Sequence, residues 1–285
     1  MPIPPGTTVG PVNLTVADLG RTRDFYERAI GLRALNASGQ VVRLGTDGIP
    51  AVELTGRPDA PPRPRGTTGL FHLAILVPGR GDLALALRRV TEAGWRFSGA
   101  SDHLVSEALY LRDPEGNGIE IYRDRAREEW PRVDGEIQMD TLPLDVESLL
   151  ADAAGADPKP DRMPRGTRIG HVHLQVADLA EAEAFYGDLL GFEVTVRRYP
   201  GALFVSAGGY HHHIGLNTWA GEGAPAPPPG SRGLRWFEVV LPGPEEPAGV
   251  AERLESAGVR VERRKDGLHV ADPSGNHIVL VAASP

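Results

Sequence analysis

Ten residues near the start of the chain return later at one constant offset. Gly10, Val12, Leu14, Val16, Ala17, Asp18, Leu19, Phe25, Tyr26 and Gly31 recur 160 positions on as Gly170, Val172, Leu174, Val176, Ala177, Asp178, Leu179, Phe185, Tyr186 and Gly191. A fixed offset held across many positions is the signature of a duplicated structural unit. A second pair of stretches matches more weakly. Val77-Pro78-Gly79 and Asp113-Pro114…Gly116-Asn117 are echoed by Leu241-Pro242-Gly243 and Asp272-Pro273…Gly275-Asn276. The 285 residues therefore divide into four units, near 8–56, 67–123, 168–218 and 232–282.

Each unit shows one pattern. Val172, Leu174 and Val176 alternate with His171, His173 and Gln175, the two-residue period of a strand with one buried face. A helix follows, with Asp178 as N-cap, an apolar stripe of Ala182, Phe185, Tyr186 and Leu189, and Gly191 as the stop. Further strands end in segments such as 118–122 and 277–281. The expected fold is α+β: four βαβββ modules in two domains, paired into open-barrel sheets. The domains run 1–123 and 168–285, joined by a Pro-punctuated linker, 124–167, in which 145–154 reads as a short amphipathic helix.

Composition narrows the function. Thirty Lys and Arg against 38 Asp and Glu leave a net charge of −8, without the basic footprint of a nucleic-acid binder. Cysteine is absent, so disulfides, thiolate ligands and a Cys nucleophile are excluded. The first residues lack a signal-peptide pattern, and no apolar run reaches the ~20 residues of a membrane helix. The expected setting is the cytoplasm, with no membrane partner. The acidic surface permits a homo-oligomer.

Histidine carries the functional signal. Aligning the first strands puts Pro11, His72, His171 and Trp236 at one inward position. Aligning the last strands on the Asp-Pro-x-Gly turn sets Glu120 against Val279. Modules 2 and 3 thus carry polar, ligand-competent residues where modules 1 and 4 do not. Glu120 lies between Ile119 and Ile121, and His72 between Phe71 and Leu73, so each is expected on the face opposite its neighbours. A buried carboxylate is costly unless paired or metal-bound. Two imidazoles and one carboxylate on a concave face suit non-haem Fe(II), and Mn(II) accepts the same ligands. A single histidine in such a strand is more often only a polar sheet residue; three groups at equivalent repeat positions are not.

From His103, module 2 runs through Leu109, Tyr110, Asp113, Pro114 and Gly116 to Glu120. This string resembles the signature of the extradiol ring-cleavage dioxygenases of the vicinal oxygen chelate superfamily, the glyoxalase, bleomycin-resistance and dioxygenase group. The departure is Ser101, where that signature usually has Gly, Asn, Thr or a small aliphatic. Over nearly its whole length the chain is similar to the two-domain, bacillus-type catechol 2,3-dioxygenases. The resemblance implies paired βαβββ modules and an Fe(II) enzyme that opens catechol, or a substituted catechol, with O2 to a 2-hydroxymuconate semialdehyde-type product. It implies His72, His171 and Glu120 as metal ligands, with His173 either beside them or in place of His171. It implies His212, from the stretch Tyr210–Leu216, as acid–base residue, with Tyr110 and His103 beside the substrate. One residue of slippage in that stretch would select a neighbour of His212. In many such enzymes both active modules lie in the C-terminal half, whereas here they straddle the linker, so modules 2 and 3 pair either within one chain or between subunits. Two other functions use the same modules. A glyoxalase-type isomerase or lyase calls for a second carboxylate ligand, and a sequestering protein for aromatic compounds calls for no metal at all.

Overall fold

The computed structural model describes residues 1–153 and 161–283. Module 1 comprises β1 (Thr8–Val16), α1 (Leu19–Phe25), β2 (Arg33–Ser38), β3 (Val41–Thr46) and β4 (Ile49–Gly56). Module 2 comprises β5 (Gly69–Leu76), α2 (Arg80–Glu92), β6 (Phe97–Asp102), β7 (Ser106–Arg112) and β8 (Gly118–Asp124). The linker contributes three two-residue strands, β9 (Arg132–Val133), β10 (Glu136–Ile137) and β11 (Leu142–Pro143), and α3 (Val146–Asp152). Module 3 follows with β12 (Arg168–Gln175), α4 (Leu179–Glu183), β13 (Glu193–Val196), β14 (Ala202–Ser206) and β15 (Ile214–Asn217). Module 4 closes the chain with β16 (Gly233–Leu241), α5 (Glu246–Ser256), β17 (Glu262–Arg264), β18 (Gly267–Ala271) and β19 (His277–Ala282).

Local chemistry sets the helix ends. Asp18 Oδ1 accepts from Arg21 N at 2.9 Å and Asp178 Oδ1 from Glu181 N at 2.8 Å, each satisfying a free helix N–H. Both helices widen into π-helical turns, Tyr26–Ile30 and Ala184–Leu189. Gly31 and Gly191 then follow at φ +90°, a conformation that costs glycine nothing. The linker helix is capped by Asp145 and buries Leu149; the expected end at Ala154 lies outside the described residues.

In every module the last strand runs parallel to the first: β4 to β1, β8 to β5, β15 to β12, β19 to β16. Each first strand keeps one free edge, and those edges pair antiparallel between modules, β5 with β12 and β1 with β16. Two curled sheets result. One runs β11-β6-β7-β8-β5-β12-β15-β14-β13, and the other β17-β18-β19-β16-β1-β4-β3-β2. Modules 2 and 3 therefore share a sheet within one chain, as do modules 1 and 4. The sequence halves 1–123 and 168–285 are not separate sheets, because each gives one module to each.

What binds the modules of a half is a different set of contacts. Asp113 Oδ1 accepts from the backbone N–H of Glu115 and Asn117, and its Oδ2 from Asn117 Nδ2, which shapes the turn after β7. Tyr26 of module 1 donates to that Asp113 Oδ2 at 3.4 Å. Asp272 repeats the arrangement, accepting from Ser274, Asn276 and, at 3.0 Å, Tyr186 Oη. The Phe-Tyr pairs of modules 1 and 3 and the Asp-Pro-x-Gly-Asn turns of modules 2 and 4 are thus halves of one joint. The halves also exchange short arms: Ile3 N donates to Gly191 O at 2.7 Å and Met163 N to Gly31 O at 2.8 Å. The convex faces of both sheets, Leu73, Ile75, Ile119, Ile121, Val172 and Leu174 among them, merge with the helices into one apolar core.

Candidate active site

The concave face of the nine-stranded sheet carries the site, and two irregularities in the β5–β12 pairing aim it. His173 stands opposite His72 and Leu174 opposite Leu70, leaving Phe71 as an extra residue; at the other end Gly170 is extra. Such bulges turn a strand's side chains. The expected alternation at His72 is therefore corrected, because Phe71 does not face away but joins His72 in the cavity wall. At Gly170 an added Cβ would meet Tyr122 Oη at 1.9 Å, so only glycine admits the Tyr122 ring beside His171. The other sheet repeats the irregularities around Val9–Val12 and at Arg235.

His72, Glu120 and His171 converge. Nε2 of His72 and Nε2 of His171 lie 2.9 and 3.1 Å from the same carboxylate oxygen, Glu120 Oε2. One ligand atom from each of the three falls within 4.8 Å of the others. All three residues are buried. Nε2 of His72 is out of line for a hydrogen bond despite its proximity to the carboxylate. Ligand atoms bound at right angles about a metal at ~2.1 Å sit about 3.0 Å apart. The donor set thus fits a divalent metal of the facial-triad kind, with one carboxylate. Burial by itself raises the Glu120 carboxyl, but His171 and His72 outweigh it and hold it well below the usual carboxylate range. Burial pushes His171 down to about 4. A charged carboxylate and a neutral imidazole are the protonation states a metal requires.

The remaining sequence candidates surround this cluster. His173 lies with its ring 5.0 Å from that of His72, and its buried Nε2 has no hydrogen-bond partner among the described residues. Tyr110 pairs with Glu120 in register across β7–β8 and reaches His103 Nε2 at 2.7 Å. His103 Nδ1 lies 2.7 Å from the Asp140 carbonyl. That carbonyl accepts only, so His103 donates from Nδ1 and Tyr110 donates to its Nε2. His212 packs on His171 with ring centroids 4.1 Å apart, and burial holds its pKa well below that of a free imidazole. The stretch Tyr210–His213 is not strand, since β15 starts at Ile214. Strand alternation therefore does not govern it, and His211 and His212 face each other, Nδ1 to Nδ1, at 2.8 Å. His213 turns instead to Ala207 N, which donates to its Nδ1.

The triad with His173, Tyr110, His103 and His212, but not His211 or His213, lines a cavity of about 270 Å³. Its walls include Phe71, Tyr199, Phe204 and Trp219, and among the described lining residues there is no lysine or arginine. Met139, Asp140 and Thr141 cover it from the linker, where β11 adds to the edge of β6 and Thr141 Oγ1 bonds Tyr199 Oη at 2.7 Å. Sequence reasoning missed this strap and the aromatic walls. The trace of the walls was a cluster of Tyr199, Phe204 and Trp219 in and beside β14 and β15 of an otherwise aromatic-poor chain.

The equivalent face of the other sheet holds Asn13, Glu53 and Trp236 instead. Glu53 accepts hydrogen bonds from Asn13 Nδ2 and Arg43 Nε, so both its carboxylate oxygens are already committed. Among the described residues, the His/Glu cluster able to hold a metal lies on the sheet of modules 2 and 3.

Residues 8–121 and 168–280 match the family model described as the Glyoxalase/Bleomycin resistance protein/Dioxygenase superfamily. The chain is 47% identical over 281 residues to a catechol-2,3-dioxygenase of Bacillus subtilis (strain 168), covering 96% of this chain and 97% of that protein. A 75-residue stretch is 36% identical to biphenyl-2,3-diol 1,2-dioxygenase 3 of Rhodococcus globerulus, covering 26% of this chain and 40% of that protein. Among solved structures, a putative dioxygenase from Bacillus subtilis superposes with a TM-score of 0.68 at 14% identity, covering 100% of this chain and 87% of that one. Glyoxalase I from Zea mays superposes at 0.59 and 17% identity, covering 97% and 92%. Both superpositions speak for the fold.

Proposed function

Because the chain belongs to the Glyoxalase/Bleomycin resistance protein/Dioxygenase superfamily, we propose that it is an extradiol dioxygenase, opening catechol or a substituted catechol with O2 to a semialdehyde-type product. The observation that carries the proposal is the meeting of two histidine Nε2 atoms and one carboxylate oxygen beneath an aromatic-walled cavity. The 47% identity to a catechol-2,3-dioxygenase supports the same chemistry. A single carboxylate in the cluster speaks against the glyoxalase-type alternative.

In this reading His72, His171 and Glu120 hold Fe(II). The metal supplies the electronic route between an electron-rich diol and O2. The chain supplies the rest. Phe71, Phe204 and Trp219 enclose the ring and exclude water, and a lining that includes Glu120 and Asp140 but, among the described residues, no lysine or arginine favours a neutral catechol over one bearing a carboxylate. His212 takes a phenolic proton as the diol binds and returns it later, as a positioned imidazole can. Tyr110, oriented by His103, accepts a hydrogen bond from a substrate hydroxyl. His173 offers its free Nε2 on the other side.

The test is to load the protein with Fe(II) without air, add catechol and then admit O2. Oxygen uptake with a yellow ring-opened product is expected; bound iron with no product would overturn the reading. In His212→Ala, iron and catechol should still bind while turnover falls by about 10² to 10⁴, the scale of acid–base catalysis.

A further inference from the structure

We infer that Asp124, outside the cavity, sets the tautomer of His212 through His211 and is a positioning residue for proton transfer; this rests on the reading of His212 given above. Asp124 ends β8, four residues beyond Glu120. Its Oδ1 lies 2.8 Å from His211 Nε2. Its Oδ2 accepts from Tyr210 Oη at 2.9 Å, and Tyr210 Oη lies 2.8 Å from Tyr122 Oη. Two chains of donors therefore end on one carboxylate.

The direction of each bond follows from what its members can do. A carboxylate only accepts, so His211 donates from Nε2. A neutral imidazole carries one N–H, which leaves Nδ1 of His211 as an acceptor. The two Nδ1 atoms, 2.8 Å apart, share a single proton, and it must belong to His212. His212 is thereby an Nδ1–H tautomer, and its Nε2 holds a lone pair. That is the form able to receive a substrate hydroxyl proton. When it does, the O–H bond breaks, an Nε2–H bond forms, and the Nδ1–H to His211 stays as it was. With the opposite direction Nε2 would already carry a proton and no base would exist. On the second chain Tyr210 donates to Asp124, so Tyr122 donates to Tyr210, which fixes the phenol wedged against Gly170 and His171. Trp130 shields His211 with its ring 5.3 Å away, and His211 is fully buried.

The test is long-range proton–nitrogen NMR of the full-length, histidine-labelled protein at pH 8, loaded with diamagnetic Zn(II). It separates Nδ1–H from Nε2–H rings without any turnover. The expected spectrum has His212 protonated at Nδ1 and His211 at Nε2. An Nε2–H on His212, or protons on both nitrogens of His211, would overturn the inference. In Asp124→Ala the bias should vanish, giving mixed tautomers, with metal content unchanged and kcat of the iron-loaded enzyme lower by about 10- to 100-fold, the usual scale for an outer partner. Wild-type tautomers persisting in Asp124→Ala would also overturn it. If that variant fails to fold, the wild-type spectrum still decides. Should His212→Ala retain full turnover, the acid–base assignment falls instead, while the NMR still reports on Asp124.

Discussion

At the scale of single residues, Glu120 and Val279 occupy the same place in two modules, and it is Glu120 that meets two histidines there. Glu120→Ala is expected to lose bound metal and with it turnover, leaving the fold intact, as metal analysis and circular dichroism would check. Val279→Ala removes buried methyls from the other sheet; it should cost about 1–3 kcal/mol of stability and leave activity unchanged. Glu238 lies on that second sheet near Arg43, Glu53 and Asp266, and burial, opposed by Arg43, raises its pKa to about 7. The unfolded value is near 4.3. The fold thus favours the protonated acid, a contribution fully present below the unfolded value and lost as pH rises through 7. The urea midpoint should therefore fall between pH 5 and 8, with a flatter slope in Glu238→Gln. Of the site, His72, Glu120, His103 and Tyr110 were legible because one repeat register and one local motif hold them. Phe71 was not. A bulge that depends on β12, a hundred residues away, turns it into the cavity.

At the scale of elements, the repeated sequence marks are mostly joints. Asp18 and Asp178 cap helices, Gly31 and Gly191 end them, and each buried tyrosine reaches the aspartate of the next module's turn. Removing the hydroxyl in Tyr186→Phe takes one donor from the buried Asp272. A loss of about 1–2 kcal/mol is expected by chemical denaturation, without change in metal content, and less in Tyr26→Phe, where the bond is longer. The linker strap, by contrast, has no mark in the sequence. β11 is two residues long, and its place on β6 follows from packing of α3 against α2 rather than from any pattern of its own.

For the whole molecule, the consequence of crossed pairing is that neither half owns a site. His72 and Glu120 belong to one half, His171 and His212 to the other, and β5 meets β12 only when both are present. Segments 1–153 and 161–285 made separately should each fail to hold iron or turn over catechol. Mixing or co-expressing them should restore both, by iron content and oxygen uptake. Activity in either segment alone would show that the shared sheet is not the functional unit. Among the described residues no helix is long and apolar enough to cross a membrane.

The sequence alone determined what acts over short distances. A two-residue period decides which face of a strand is buried, an aspartate and a glycine decide where a helix starts and stops, and a repeated register decides which modules carry the candidate ligands. Those choices are local, since each depends on a residue and its near neighbours along the chain. The tertiary structure alone decided which free edges meet, where the bulges fall, and that Asp124 would end its strand against His211. Each of these rests on groups 87 or more residues apart, and backbone periodicity carries no information over that span. Only the closing of one shared sheet brings them within hydrogen-bond reach.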